Sequence, residues 1–274
     1  MAKEIQNLDD DALALFARKG LEAGPDAPQV GEANAVKLRR VMQLTSDLAS
    51  RPFDELRILD LGCGEGVYAI EAGLHGAEVL AIDARTERMN QGAAVAARHG
   101  LDGVTFSQED ARAVGIDIHG EFDVVYCLGL LYHLDSPDVF ELLGRIHALC
   151  RELLVIDTLI ATEPELELEY GGRRYEGARI REHEADDSAD VRRARLLRSI
   201  DNEFAFRFTR PALVRALGDT GFTTVLECHL PLEPGKPDRR ITLAAVKGKP
   251  VSLSTYPWLN KASEAEIERR LGSR

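Results

Sequence analysis

Gly62, Gly64 and Gly66 follow four residues, Ile58, Leu59, Asp60 and Leu61, that read as a short buried strand. Glycine accepts the left-handed backbone of a sharp turn, and from Val67 to Leu74 the residues are helix-compatible and mostly apolar. The unit is strand, glycine turn, helix, which presents backbone N–H groups at the positive end of a helix. A second strand, Glu78 to Ile82, ends on Asp83. That acid lies about twenty residues beyond the first glycine, where a nucleotide-binding βαβ unit puts a carboxylate to accept hydrogen bonds from ribose hydroxyls. The chemistry suggested by this spacing is the holding of a nucleoside.

The turn reads G-x-G-x-G and lacks the two-residue gap of the dinucleotide fingerprint G-x-G-x-x-G. It also carries Asp60 and Glu65, poor hosts for a doubly negative pyrophosphate but suited to a cation. An acid followed by G-x-G-x-G resembles the first motif of the class I S-adenosylmethionine (SAM) methyltransferases. The resemblance implies SAM as cofactor, held by Asp60, Gly62 and Gly64 and, at the ribose, Asp83. It further implies that Asp110, at the end of the strand VTFSQED and followed by the small Ala111, holds the adenine amino group. A solvated turn acid is the plainer reading of Asp110.

These residues need a sheet to position them. Strands at 58–61, 78–82, VTFSQED, Phe122–Leu128 and ELLVIDTL alternate with helices, the pattern of a doubly wound α/β sheet. FDVVYCL is a continuous apolar run of the kind buried on both faces. FTRPALVRALGDTGF reads as a helix begun by Thr209, and TTVLECHL and RRITLAAVKG as two closing strands, antiparallel to one another. The resemblance implies a seven-stranded Rossmann-like sheet of order 3-2-1-4-5-7-6, over roughly residues 55 to 248. The expected domains are an N-terminal helical cap over 1–52, a SAM-binding domain over 53–248 and a tail over 249–274 that contains Trp258. The cap reads as helices at 8–19 and 32–50. Such helices often cover the cofactor in this superfamily, so Lys37 or Arg40 could touch it.

The regularity stops over 160–206, a charged insertion too long for an ordinary connection. A hairpin around Gly171–Gly172 and a charged helix near 188–200 are expected there. An insertion before the last helix returns over the C-terminal edge of the sheet, where substrate choice resides. Tyr170, Arg174, Tyr175, His183 and Asn202 are its groups most able to hold a polar acceptor. A dimer arm or an exposed charged face is the alternative use of this segment.

After the fourth strand comes GLLYHLDSP. Leu128 is expected beside the methionine moiety, with Tyr132 and His133 in reach of the acceptor. A neutral imidazole accepts a proton near pH 7, its unperturbed pKa being about 6.5, so His133 is the expected general base and His183 its rival. The alternative for Tyr132 and His133 is a cap on the helix starting at Asp135-Ser136-Pro137. The stretch is similar to a bacterial group with a Gly-x-Leu-Tyr-His signature, related to the tRNA wobble-uridine carboxymethyltransferases, which use carboxy-SAM. Here Leu134 stands where those enzymes usually have Arg. A donor carboxylate would need a cation from elsewhere, such as Arg174, Arg207 or Lys37.

The formal charge of −12 argues against a broad nucleic-acid footprint. Cys63, Cys127, Cys150 and Cys228 are widely spaced and form no metal-ligand pairs, so no metal is expected and the thiols read as reduced. The first residues show no secretory or transit signal and no apolar run reaches membrane-spanning length, so a cytoplasmic location is expected. The leading expectation is a SAM-dependent methyltransferase acting on an O or N atom of a small or medium-sized polar acceptor. Carboxymethyl transfer to a tRNA base, a nicotinamide dehydrogenase and a non-catalytic scaffold of the same fold are the alternatives. A homodimer is left open.

Overall fold

Strand β1 (Arg57–Leu61) sits at the centre of the fold, hydrogen-bonded in parallel to β2 (Glu78–Asp83) on one side and β4 (Phe122–Leu128) on the other. The computed structural model describes residues 27–248 and residue 269. β3 (Val104–Gln108) pairs with β2, and β5 (Cys150–Leu159) with β4, all in parallel. β9 (Thr224–Cys228) and β10 (Arg240–Val246) are antiparallel to one another, and β10 is antiparallel to β5. The order β3-β2-β1-β4-β5-β10-β9 is the expected 3-2-1-4-5-7-6 once the strands of the insertion are set aside.

Alternation along the central strands sends side chains into two cores. Ile58, Val124 and Tyr126 meet Leu38, Val41 and Met42 of α1 (Ala27–Leu48), with α2 (Val67–Leu74) and α3 (Thr86–Arg98) on the same face. Leu59, Leu61, Val125 and Cys127 face the opposite way, onto α5 (Asp138–Leu149) and α7 (Arg210–Thr220), while α4 (Ile116–His119) is a single turn. Thr209 caps α7 by accepting from the Ala212 N–H at 3.4 Å. The cysteines are free thiols, three of them buried.

The insertion builds its own antiparallel sheet of β6 (Leu166–Tyr170), β7 (Arg173–Arg181) and β8 (Phe204–Phe208). Gly171 and Gly172 close the expected hairpin at φ +60° and +74°, values that suit glycine. The helix expected near 188–200 is shorter, α6 (Ala189–Ala194), capped by Ser188 and burying none of its residues. A helix with no apolar face to bury has little to extend it. The expected helix at 8–19 and Trp258 lie outside the described residues.

Candidate functional site

A cleft of about 680 Å³ opens at the C-terminal ends of β1, β2 and β4, where open α/β sheets bind ligands. Its floor is the glycine turn. Gly62, Gly64 and Gly66 have φ of +68°, +57° and +71°, so β-carbons there would strain the turn. A fourth glycine packs against it. Gly92 of α3 lies so close to Glu65 that a β-carbon would collide with the Glu65 carbonyl oxygen.

Asp83 is fixed beside this turn. Its Oδ2 accepts from the Gly64 N–H at 2.9 Å and its Oδ1 from the Arg85 N–H at 2.9 Å, which aims the carboxylate across the cleft. Asp60, 1% exposed, lies beneath. A site with acids beneath a glycine turn suits a nucleoside carrying positive charge better than a pyrophosphate. Ala111 and Asp110 line the same end of the cleft. The Asp110 carboxylate is engaged by Arg112 through its backbone N–H at 2.8 Å and its guanidinium at 2.6–3.0 Å. Burial works against this carboxylate, but the bonds from Arg112 outweigh it and hold the acid below its usual range. Leu128 and Gly129 form the wall after β4. Cys63 also lines the cleft, yet burial, with Asp60 and Asp83 nearby, pushes its thiol far up, so it is no nucleophile.

His133 ends a single helical turn, Leu131–His133, that follows β4. Its Nδ1 is 3.0 Å from Oε2 of Glu182, which also accepts from the Ser199 N–H at 2.8 Å. Glu182 is 3% exposed. Burial raises its pKa, but the His133 bond and charge outweigh that and keep it low, so it is an anion at neutral pH. With Nδ1 held by a carboxylate, the imidazole presents Nε2 as the acceptor. Asn202 Nδ2 donates to the His133 carbonyl at 3.1 Å, and Tyr132 packs its ring 4.2 Å from the imidazole.

Residues 182–202 arch over the cleft. Arg85 holds this arch with one guanidinium, donating to the carbonyls of Arg193, Arg195, Arg198 and Ser199 at 3.1–3.3 Å. Arg112 adds a bond to Asp201 at 2.6 Å.

The remaining expected acceptor-side groups stand elsewhere. Tyr170 stacks on Phe140 at 4.6 Å, the Tyr175 hydroxyl donates to Asp219 at 2.9 Å, and Arg174 pairs with Glu167 on the surface. None of the three lines the cleft. Strand alternation buries Tyr175 against Phe140 and leaves Arg174 exposed, and it is Glu182, just past the end of β7, that reaches His133. His183 is fully buried, with Nε2 2.9 Å from the Ser199 carbonyl, and serves the arch rather than the cleft. Sequence reasoning missed Glu182, Arg85, Arg112, Asp157 and Arg240.

At the opposite end Lys37 lines the cleft and pairs with Asp157 at 3.2 Å. Arg40 does not line it; it is buried, donating to Glu233 at 2.6 Å and Thr242 at 2.9 Å.

Residues 58–152 match a family described as "Methyltransferase domain". The ubiquinone biosynthesis O-methyltransferase of Leptothrix cholodnii is 27% identical over 136 residues, 48% of this chain, and the chain spans only 56% of that relative's length. The N-terminal domain of EvdMO1, solved with SAH and D-fucose, superposes with a TM-score of 0.60 at 21% identity, covering 77% of this chain and 81% of that one. The 1,6-didemethyltoxoflavin-N1-methyltransferase of Burkholderia thailandensis superposes at 0.55 and 21% identity, covering 90% and 93% of the two chains.

Proposed function

We propose that this chain, a class I SAM-dependent methyltransferase by its domain over residues 58–152 and by its sheet order, moves a methyl group to a small-molecule acceptor. SAM supplies an electrophilic methyl on a sulfonium that leaves as a neutral thioether. Asp60, the glycine turn and Asp83 would hold it, with Ala111 and Asp110 at the adenine end and Leu128 at the methionine end. The chain's contribution is then largely to align an acceptor lone pair with the methyl at near-attack distance. His133 Nε2 takes the proton from the acceptor O–H or N–H as the new bond to carbon forms, and Glu182 stabilises the imidazolium that results.

The observation carrying this reading is that the His133–Glu182 pair and the Asp83-anchored glycine turn open into one cleft. The glycine spacing disfavours a nicotinamide cofactor. A cytoplasmic enzyme acting on a small molecule, with nucleic acid outside its partners, accords with the acidic charge. Among the described residues no helix is long and apolar enough to cross a membrane. The test is incubation of purified protein with methyl-labelled SAM and a pooled small-molecule extract. Label should enter a low-molecular-weight product in wild type and hardly at all in His133→Ala. Label appearing in no product, or equally with His133→Ala, contradicts the reading.

A further inference from the structure

Asp60, Asp83 and Asp110 share the β1–β3 end of the cleft with Arg85 and Arg112, while Lys37, Arg207 and Arg240 line the side where β5 ends and β10 begins. Lys37 Nζ and the Arg240 guanidinium converge on Asp157, which is fully buried and takes a third bond from Thr242 Oγ1 at 3.1 Å. Two cations therefore share one carboxylate. Arg207 approaches from the arch side. Strand alternation turns Phe206 and Phe208 into the aromatic cluster around Phe140 and Arg207 the other way, into the cleft.

Tyr132 is the meeting point. The Arg207 guanidinium lies 5.7 Å from its ring centroid and that of Arg240 5.5 Å. Gly129 turns the chain beside them with φ +100°, a conformation that suits glycine. Arg207 has no carboxylate within ion-pair distance among the described residues, and its Nε is buried with no hydrogen-bond partner. Glu182, the acid whose field reaches it, is already bonded to His133 and Ser199. A half-buried guanidinium so placed carries an unmet donor and an unmet charge, each costly until an anion arrives.

We propose that Arg207, with Arg240 against the same Tyr132 ring, forms a subsite for a carboxylate borne by the methyl acceptor; this rests on the methyl-transfer reading above. Arg207 and His133 pack on the same tyrosine ring, so an acid held by the guanidinium presents its other end to the imidazole. The acceptor class is an organic acid carrying a separate O–H or N–H. The planar fork of Arg207 suits a carboxylate bidentately.

Two other carboxylates could claim the same cation, the one on the methionine moiety and the one on a carboxylated donor. The test separates them. Binding to SAH-saturated protein is measured by ligand-observed NMR for matched acids and primary amides: benzoic, 3,4-dihydroxybenzoic and hexanoic. SAH affinity is measured separately by calorimetry, and the donor co-purifying with the protein is identified by mass spectrometry. At least one acid should outbind its amide by roughly 10–100-fold in wild type. Arg207→Gln should abolish the preference, Arg207→Lys should keep part of it, and SAH affinity should stay within about threefold in both. The proposal is overturned if no acid outbinds its amide, or if Arg207→Gln keeps the preference. It is also overturned if SAH binding falls with the preference, or if the donor itself carries the extra carboxylate. Absence of SAH binding by wild type would instead remove the methyl-transfer reading.

Discussion

Glu182 Oε2 stands 3.0 Å from His133 Nδ1, across 49 residues of chain, and fixes which imidazole nitrogen faces the cleft. The general base proposed above, oriented this way, should lose most of its effect when either partner changes. His133→Ala should lower turnover by about 10²–10⁴. Glu182→Gln, which keeps the shape but not the charge, should cost about 10-fold or more and up to about 10⁴, the loss seen when the carboxylate behind a general-base histidine becomes an amide. SAH affinity, measured by calorimetry on the same samples, should hardly move.

Asp157 is the counter-charge for two cations, and Asp157→Asn leaves Lys37 and Arg240 buried with only a neutral amide between them. Removing one partner of a buried ion pair costs about 3–5 kcal/mol, and denaturant unfolding should show a loss of that size. Retention of wild-type stability would mean that water reaches this cluster.

Burial pushes Lys37 from its ordinary value of 10.5 to about 8, with Asp157 opposing the shift and Arg240 adding to it. One lysine Cε resonance should titrate near pH 8 and vanish in Lys37→Met. In Asp157→Asn the midpoint should fall further. Between pH 8 and 10.5 the unfolded chain binds more protons at this site than the folded one, so this group's contribution to stability rises with pH across that window.

Gly92 is a buried glycine in the middle of a helix, and its position against the Glu65 carbonyl fixes α3 under the glycine turn. Gly92→Ala should force the two apart. Overpacking of this kind costs about 1–3 kcal/mol, and SAH affinity should fall with stability because the turn itself is displaced. Gly144→Ala, where nothing lies within 4 Å, is the matched control and should do neither.

The strands, their order and the Asp83-anchored turn were legible because each rests on local signals: apolar runs, glycines and alternation with helices. The 160–206 insertion, expected on the acceptor side, divides in its relation to the cleft. Its end from Glu182 to Asn202 reaches the cleft, but Tyr170, Arg174 and Tyr175 do not, because strand alternation buries Tyr175 against Phe140 and turns Arg174 to solvent. Glu182 and Arg240 carry no signal of their own in the sequence. Their roles come from the register of β7 and of β10, pairings across tens of residues that no local pattern encodes. Arg207 was named only among cations that could serve a donor carboxylate. The phase of β8, which sends it to the cleft, is readable only once Phe206 and Phe208 are known to face the core.

Arg85 joins Asp83 to the arch, through its own N–H to the carboxylate and its guanidinium to four arch carbonyls. Arg85→Ala should free residues 193–199. Amide hydrogen exchange over that segment should speed up while the central strands keep wild-type protection. Unchanged exchange would show that Glu182 and Arg112 hold the arch without it.

The most direct measurement of the central claim is calorimetric titration of wild type and Asp83→Ala with SAH and, separately, with NAD. The account predicts that wild type binds SAH and not NAD. Asp83→Ala should weaken SAH by one to three orders of magnitude, since hydrogen bonds to a charged group contribute about 1.5–3 kcal/mol each. Tight NAD binding with no SAH binding, or an Asp83→Ala variant that binds SAH as wild type does, would contradict it.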